Sequence, residues 1–290
     1  MTVWNLGSIN LDHVYRVPHL PAPGETLAAE ALTSGLGGKG ANQSIAAARA
    51  GARVAHIGRI GADGGPAGAA LAEAGVDVTH VTRSAQATGH AIILVDAAGE
   101  NSIVIHPGAN RDQQTAAIDA ALSGAAPGDT LLLQNETDAQ VAAAGIARAA
   151  GLRVVYSAAP FDADAARAVM PHVDLLALNT VEATALAAAL GTAAGALPVA
   201  ELLITRGSDG AWYRGPNGTV AVPGVPVTPV DTTGAGDTFL GWFAGRRDVG
   251  DDVETALREA AAAAALQVTR PGAAAAIPTR AAVHRFVGTK

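Results

Sequence analysis

The sequence contains no cysteine, so disulfides and thiolate metal sites are excluded, which fits the cytoplasm. Lysine is nearly missing: Lys39 and Lys290 stand alone against arginine used everywhere else. There is no basic block, charged residues are 16% of the 290, and the formal net charge is -7, so neither nucleic acid nor an anionic membrane is an expected partner. No apolar run reaches the roughly 20 residues that span a bilayer; the alanine-rich stretch 260–268 falls far short. Histidines are scattered without H-E-x-x-H or comparable spacing, so a tightly held transition metal is not expected. Met1 leads straight into Val3-Trp4-Asn5-Leu6, with no basic leader and apolar signal core. What remains is a soluble, cytoplasmic, globular class, and 49% hydrophobic content is enough for one large core.

Short apolar runs alternate with alanine-rich helical runs. Strands are predicted at 3–7, 53–57, 130–133, 152–156, 174–178 and 201–205, and helices at 41–50, 64–74, 139–150, 163–169 and 182–190. Unbroken apolar strands in a βαβ rhythm predict an α/β fold, a Rossmann-like doubly wound sheet flanked by helices. Right-handed crossovers then put every strand's carboxyl end on one edge, where open α/β sheets bind ligands. Polar residues gather there: Ser8, Asn10 and Asp12; Gln134, Asn135 and Glu136; Asn179 and Glu182; and the run Thr205, Arg206, Gly207, Ser208, Asp209, Gly210. Two segments break the rhythm, a proline-rich extended stretch over 13–33 and a hairpin over 88–106. Together they predict a small sheet covering the site, its apolar outer face suited to pairing two copies. The tail predicts a helix over 253–266 and a short terminal helix.

Two glycine-rich stretches carry the chemistry. The run Asp231-Thr232-Thr233-Gly234-Ala235-Gly236-Asp237 enters a helix bearing Phe239, Leu240 and Phe243. Small residues there turn backbone N–H groups outward at the positive helix end, a cradle for developing negative charge. Asp237, expected to stay ionised beside that end, could take a proton from an attacking hydroxyl. A plain helix cap and a plain turn would use the same residues. Gly35-Leu36-Gly37-Gly38-Lys39-Gly40 matches G-x-G-x-x-G, yet no predicted strand leads directly into it, so the dinucleotide reading is weak. Nor does it have the spacing of a Walker A loop. It offers close backbone approach at a helix start, with Lys39 and Asn42 on the first turn.

These stretches, with Gly7-Ser8-Ile9-Asn10-Leu11-Asp12, Pro23-Gly24-Glu25-Thr26, Gly37-Gly38-Lys39-Gly40-Ala41-Asn42-Gln43, Asn179-x-x-Glu182 and Val268-Thr269-Arg270, resemble the ribokinase branch of the PfkB sugar kinases nearly end to end. The resemblance implies one domain over 1–290 with a lid from about 12–34 and 88–107, acting with ATP on a sugar hydroxyl. D-ribose, at its 5-hydroxyl, is the implied acceptor. It makes Asp237 the general base and Gly234, Ala235 and Gly236 the anion hole. Asn10, Asp12, Gly38, Lys39, Asn42 and Glu136 match sugar-binding positions. Asn179 and Glu182 match the motif that orients Mg²⁺ and phosphates. The run from Thr205 to Gly210 matches the nucleotide loop, with Gly236 nearby. Asp231, Thr233, Gln267, Arg270 and Gly272 match a K⁺ site built largely from backbone carbonyls. Ala276 replaces a hydroxyl residue expected there, and Ala261 a histidine often found beside the adenine. A homodimer through the lid is the expected assembly. Competing readings are a kinase for deoxyribose, a ketohexose or a ribonucleoside; a catalytically inert sugar binder; and, more distantly, an NAD-binding oxidoreductase.

Overall fold

The computed structural model describes residues 1–288; Lys290 and the end of the domain expected over 1–290 lie outside them. The chain opens with β1 (Thr2–Leu6), leaves the main layer for β2 (Asn10–Arg16) and β3 (Ala31–Gly37), and returns through α1 (Lys39–Arg49) to β4 (Arg53–Ile60). After α2 (Gly65–Glu73) and β5 (Val81–Arg83), a second excursion forms β6 (Gly89–Val95) and β7 (Asn101–His106). Helix α3 (Thr115–Leu122) leads into β8 (Thr130–Gln134), α4 (Gln140–Ala149), β9 (Arg153–Ser157), α5 (Ala163–Val169), β10 (Leu175–Asn179), α6 (Thr180–Leu190) and β11 (Glu201–Thr205). A hairpin of β12 (Ala211–Gly215) and β13 (Gly218–Val222) precedes α7 (Ala235–Asp248), α8 (Val253–Gln267) and α9 (Arg280–Gly288).

The large sheet has nine strands in the order β13-β12-β11-β10-β9-β8-β1-β4-β5. Only β12 and β13 run antiparallel to their neighbours. Successive side chains of a strand face opposite layers, and here both layers are apolar. Val3, Leu132 and Val155 pack toward α1, α7 and α8, whereas Trp4, Leu131 and Val154 pack toward α3 to α6. Each such side chain removed from water contributes about 1.5–3 kcal/mol. The small sheet, β3-β2-β6-β7, is built from the two segments expected to leave the main body, and begins earlier, at Asn10.

Each of the six predicted parallel strands is present, with β4 extending to Ile60. Four elements were not anticipated: α3, β5 and the two strands of the β12–β13 hairpin. A strand does lead directly into α1, contrary to the expectation for the G-x-G-x-x-G run, since Gly35 and Gly37 lie on β3. Its exposed, glycine- and hydroxyl-rich sequence does not read as a strand. Because β3 pairs antiparallel with β2 in the small sheet, the run still forms no parallel dinucleotide unit. Gly40 sits so close to Gly7 that a Cβ on either would strike the other's backbone.

Candidate active site

The cleft lies at the carboxyl edge of the large sheet, where open α/β sheets bind ligands. Lys39, Asn179, Glu182, Thr205, Gly234, Ala235, Gly236 and Asp237 all line it, so both sequence motifs and two strand ends converge there. Gly234 is the N-cap of α7 with φ +76, a left-handed conformation that glycine adopts without strain. No side chain caps that end, which leaves the first turn of α7 presented to the cleft.

Asp237 is not the cap. Its Oδ1 accepts from Gln43 Nε2 at 2.9 Å and its Oδ2 from Asn42 Nδ2 at 3.1 Å. Burial pushes its carboxyl above the ordinary carboxylate range, while Lys39, Gln43 and Asn42 pull it back and Glu136 adds to the push. The helix end expected to keep it ionised is thus opposed by desolvation, the largest influence on the group. In return Asp237 raises the Lys39 ammonium above its usual value, against burial. Asn42 Oδ1 is buried and unpartnered, an acceptor a ligand hydroxyl could satisfy.

Asn10 and Asp12 begin β2, and Asn10 Oδ1 accepts from Asn110 Nδ2 at 2.7 Å. Burial first and Glu136 second push Asp12 up to about 6. Glu136, just beyond β8, uses one oxygen to accept from the Ser8 hydroxyl and, at 2.9 Å, from the Lys39 N–H. It thereby ties β8 to the start of α1, whose N-cap is Gly38.

Asn179 and Glu182 form a capping box at the start of α6: Asn179 Oδ1 accepts from the Glu182 N–H and Glu182 Oε2 from the Asn179 N–H. Among the described residues no group of three or more His, Cys, Asp or Glu could hold a metal. A single carboxylate beside an amide nevertheless fits Mg²⁺, which keeps most of its waters and shares phosphate oxygens with one or two protein ligands. Of the expected nucleotide loop, Thr205 lines the cleft, whereas Arg206, Gly207, Ser208 and Asp209 are exposed beyond it and Gly210 is buried under them.

The expected cation residues also meet, and several of their acceptors are engaged, although the buried Gln267 Oε1 has no partner. Asp231 accepts from the N–H groups of Thr233 at 2.9 Å and Gly272 at 2.8 Å. The Thr233 carbonyl accepts from Gln267 Nε2 at 2.6 Å, and the Gln267 carbonyl from the Arg270 N–H. The Arg270 side chain is exposed and Ala276 is buried with no hydroxyl to offer, so the set fits K⁺ only in part. Ala261 is buried in α8.

Gln43 and Asn110 were given no role from sequence. Both are buried polar side chains whose partners lie far along the chain, and only Gln43's place beside Asn42 hinted at one.

Comparison with known proteins bears on this geometry. The family model described as pfkB family carbohydrate kinase matches residues 2–280. The ribokinase of Haemophilus influenzae is 37% identical, covering 99% of this chain and 98% of the relative. The solved ribokinase of Thermotoga maritima superposes with a TM-score of 0.87 at 32% identity, covering 99% of each chain. That of Arabidopsis thaliana, complexed with ribose and ATP, gives 0.85 at 29% identity over 98% of each. The chain belongs to the pfkB family of carbohydrate kinases.

Proposed function

We propose that this kinase transfers the γ-phosphoryl group of ATP to the 5-hydroxyl of D-ribose, giving ribose 5-phosphate and ADP. The observation that carries this reading is a buried carboxylate, Asp237, beside the uncapped start of α7 in one cleft with Lys39, Asn179 and Glu182. As the ribose oxygen bonds to phosphorus and the bond from phosphorus to the β-phosphate oxygen breaks, the hydroxyl proton passes to Asp237 and the electron pair leaves with ADP. Burial raises the proton affinity of Asp237, which suits a base that must hold a proton briefly and release it. The turn at Gly234, Ala235 and Gly236 is assigned to the charge gathering on the transferring group, with the Ala235 N–H now donating to the Thr232 carbonyl at 3.2 Å and able to turn to a ligand only by leaving it. Lys39 adds a fixed positive charge.

Asn10, Asp12, Gly38, Asn42 and Glu136 are assigned to the sugar hydroxyls; carboxylates and amides read such hydroxyls in pairs. Asn179, Thr205, the 206–210 turn and Gly236 are assigned to the nucleotide. Asn179 and Glu182 would hold Mg²⁺, which when bound with ATP neutralises charge across the phosphates. K⁺ at Asp231, Thr233, Gln267, Arg270 and Gly272 is the weakest assignment, given how many of those acceptors are engaged, and a small activation is expected. The small sheet serves as the lid over the sugar. Ile103, Val104 and Ile105 on its edge strand β7 are exposed, which favours pairing of two lids in a homodimer.

ADP release measured over ribose, 2-deoxyribose, a ketohexose and ribonucleosides tests the acceptor. The expected result is the highest kcat/KM with ribose; a tenfold preference for any other acceptor contradicts it.

A further inference from the structure

Behind Asp237 runs an unbroken line of uncharged, buried side chains drawn from four elements. Gln43 of α1 donates through Nε2 to Asp237 Oδ1 and accepts at Oε1 from Gln134 Nε2 of β8, at 2.8 Å. Gln134 Nε2 also donates to Asn5 Oδ1 of β1 at 2.8 Å. Asn5 Nδ2 donates to the Gly40 carbonyl and to Ser44 Oγ, both at 2.8 Å. Ser44 Oγ meets His56 Nδ1 of β4 at 2.8 Å, and His56 Nε2 meets the Gly7 carbonyl at 3.1 Å. None of these five residues is more than 1% exposed.

The line has a fixed sense, which the network alone assigns. The Gly7 carbonyl can only accept, so His56 carries its proton on Nε2 and accepts at Nδ1 from Ser44. Burial pushes His56 down to about 4, so the ring stays neutral and keeps one donor and one acceptor. Ser44 then accepts from Asn5, whose oxygen accepts from Gln134. That places the Gln134 nitrogen against the Gln43 oxygen and leaves the Gln43 nitrogen facing Asp237. Turning Gln43 over would set nitrogen against nitrogen at one end and oxygen against carboxylate at the other. Helix α7 can lie this close because Gly241 rests on the Gln43 main chain, where a Cβ would collide.

We propose that Gln43 is a positioning residue for phosphoryl transfer, locked as a donor to Asp237 by Gln134 and Asn5. Both functional ends of its amide are spent inside the protein, unlike Asn42, whose oxygen is unpartnered. Gln43 therefore holds the base in place and favours its ionised form against burial, without touching substrate. Gln134, which does not bond Asp237, acts on it through Gln43. This rests on the reading of Asp237 as the base.

The test is the single-turnover transfer rate against pH for Gln43→Leu, Gln43→Glu and Gln134→Glu, with ribose and ATP held saturating. Gln43→Leu is expected to slow transfer roughly tenfold or more with the ribose KM within about twofold, and to move the acid limb upward. Gln43→Glu sets a second carboxyl beside the base and should move that limb up by about one unit or more. Gln134→Glu, once ionised, can no longer donate to Gln43, so it should shift the limb in the same direction from one residue further away. Gln134→Met, also without a donor, replaces it if Gln134→Glu does not fold. Acid limbs at the wild-type position in folded variants overturn the proposal. Asp237→Asn separates the two ideas: if it stays active the base assignment fails, and if it is inactive while the limbs stay put only the role of Gln43 fails.

Discussion

The residues we assign to the sugar and those we assign to the nucleotide are held differently. On the sugar side, Asp237, Asn42, Asn10 and Gln43 are buried and bond to side chains from distant parts of the chain, with Asn42 Oδ1 left without a partner. On the nucleotide side, Asn179 and residues 206–209 are exposed and bond mostly within their own turns. A buried polar group that loses its partner suffers the full desolvation penalty, whereas an exposed one turns to water. Substitutions on the sugar side should therefore act strongly and singly, and those on the nucleotide side weakly.

The largest effect is expected from Asp237→Asn, which keeps the shape and removes the base: kcat should fall roughly 10²–10⁴-fold, while ribose still protects the protein against heat. Gly234→Val forces a β-branched residue to positive φ against Ala273, Asn42 and Gln267, and should lower kcat about 10²-fold by spoiling the N–H cradle. Asp12→Ala comes next, with a rise of about tenfold or more in the ribose KM and little change in the ATP KM. Its pH dependence has a definite sign. Asp12 sits near 6, so as pH falls through that value it takes up a proton, loses acceptor capacity, and the ribose KM should rise; Asp12→Asn should flatten this.

The contrast between the two sets also decided what the sequence could reveal. Strands β8, β10 and β11 were legible because burial on both faces leaves unbroken apolar runs. The β12–β13 hairpin, half-buried and interrupted by Pro216 and Asn217, carries no such run and went unseen. The motifs around Asp237 could be read because two glycine-rich stretches occur together in this order and spacing; either one alone would serve as well for a plain cap or turn. The raised proton affinity of Asp237 could not, since it depends on how completely α1 covers that turn. Nor could Gln43, whose partner Gln134 is 91 residues away.

On the exposed side, Thr205→Ala should raise the ATP KM only about two- to fivefold and leave the ribose KM unchanged, since its loss is shared with water; steady-state kinetics with each substrate varied decides this. The smallest effect is expected from K⁺. With the Asp231 oxygens and the Thr233 carbonyl already bonded, replacing Na⁺ by K⁺ should change kcat less than about twofold and leave the melting temperature nearly unmoved. A large activation would mean that Gln267 gives way to the ion.

The most direct test of the account is one turnover of Asp237→Asn with saturating ribose and ATP beside the intact enzyme. Loss of ribose phosphate formation by two orders of magnitude or more, with both substrates still bound, is the expected result. Transfer within tenfold of the intact rate would remove Asp237 from the chemistry and contradict the account at its centre.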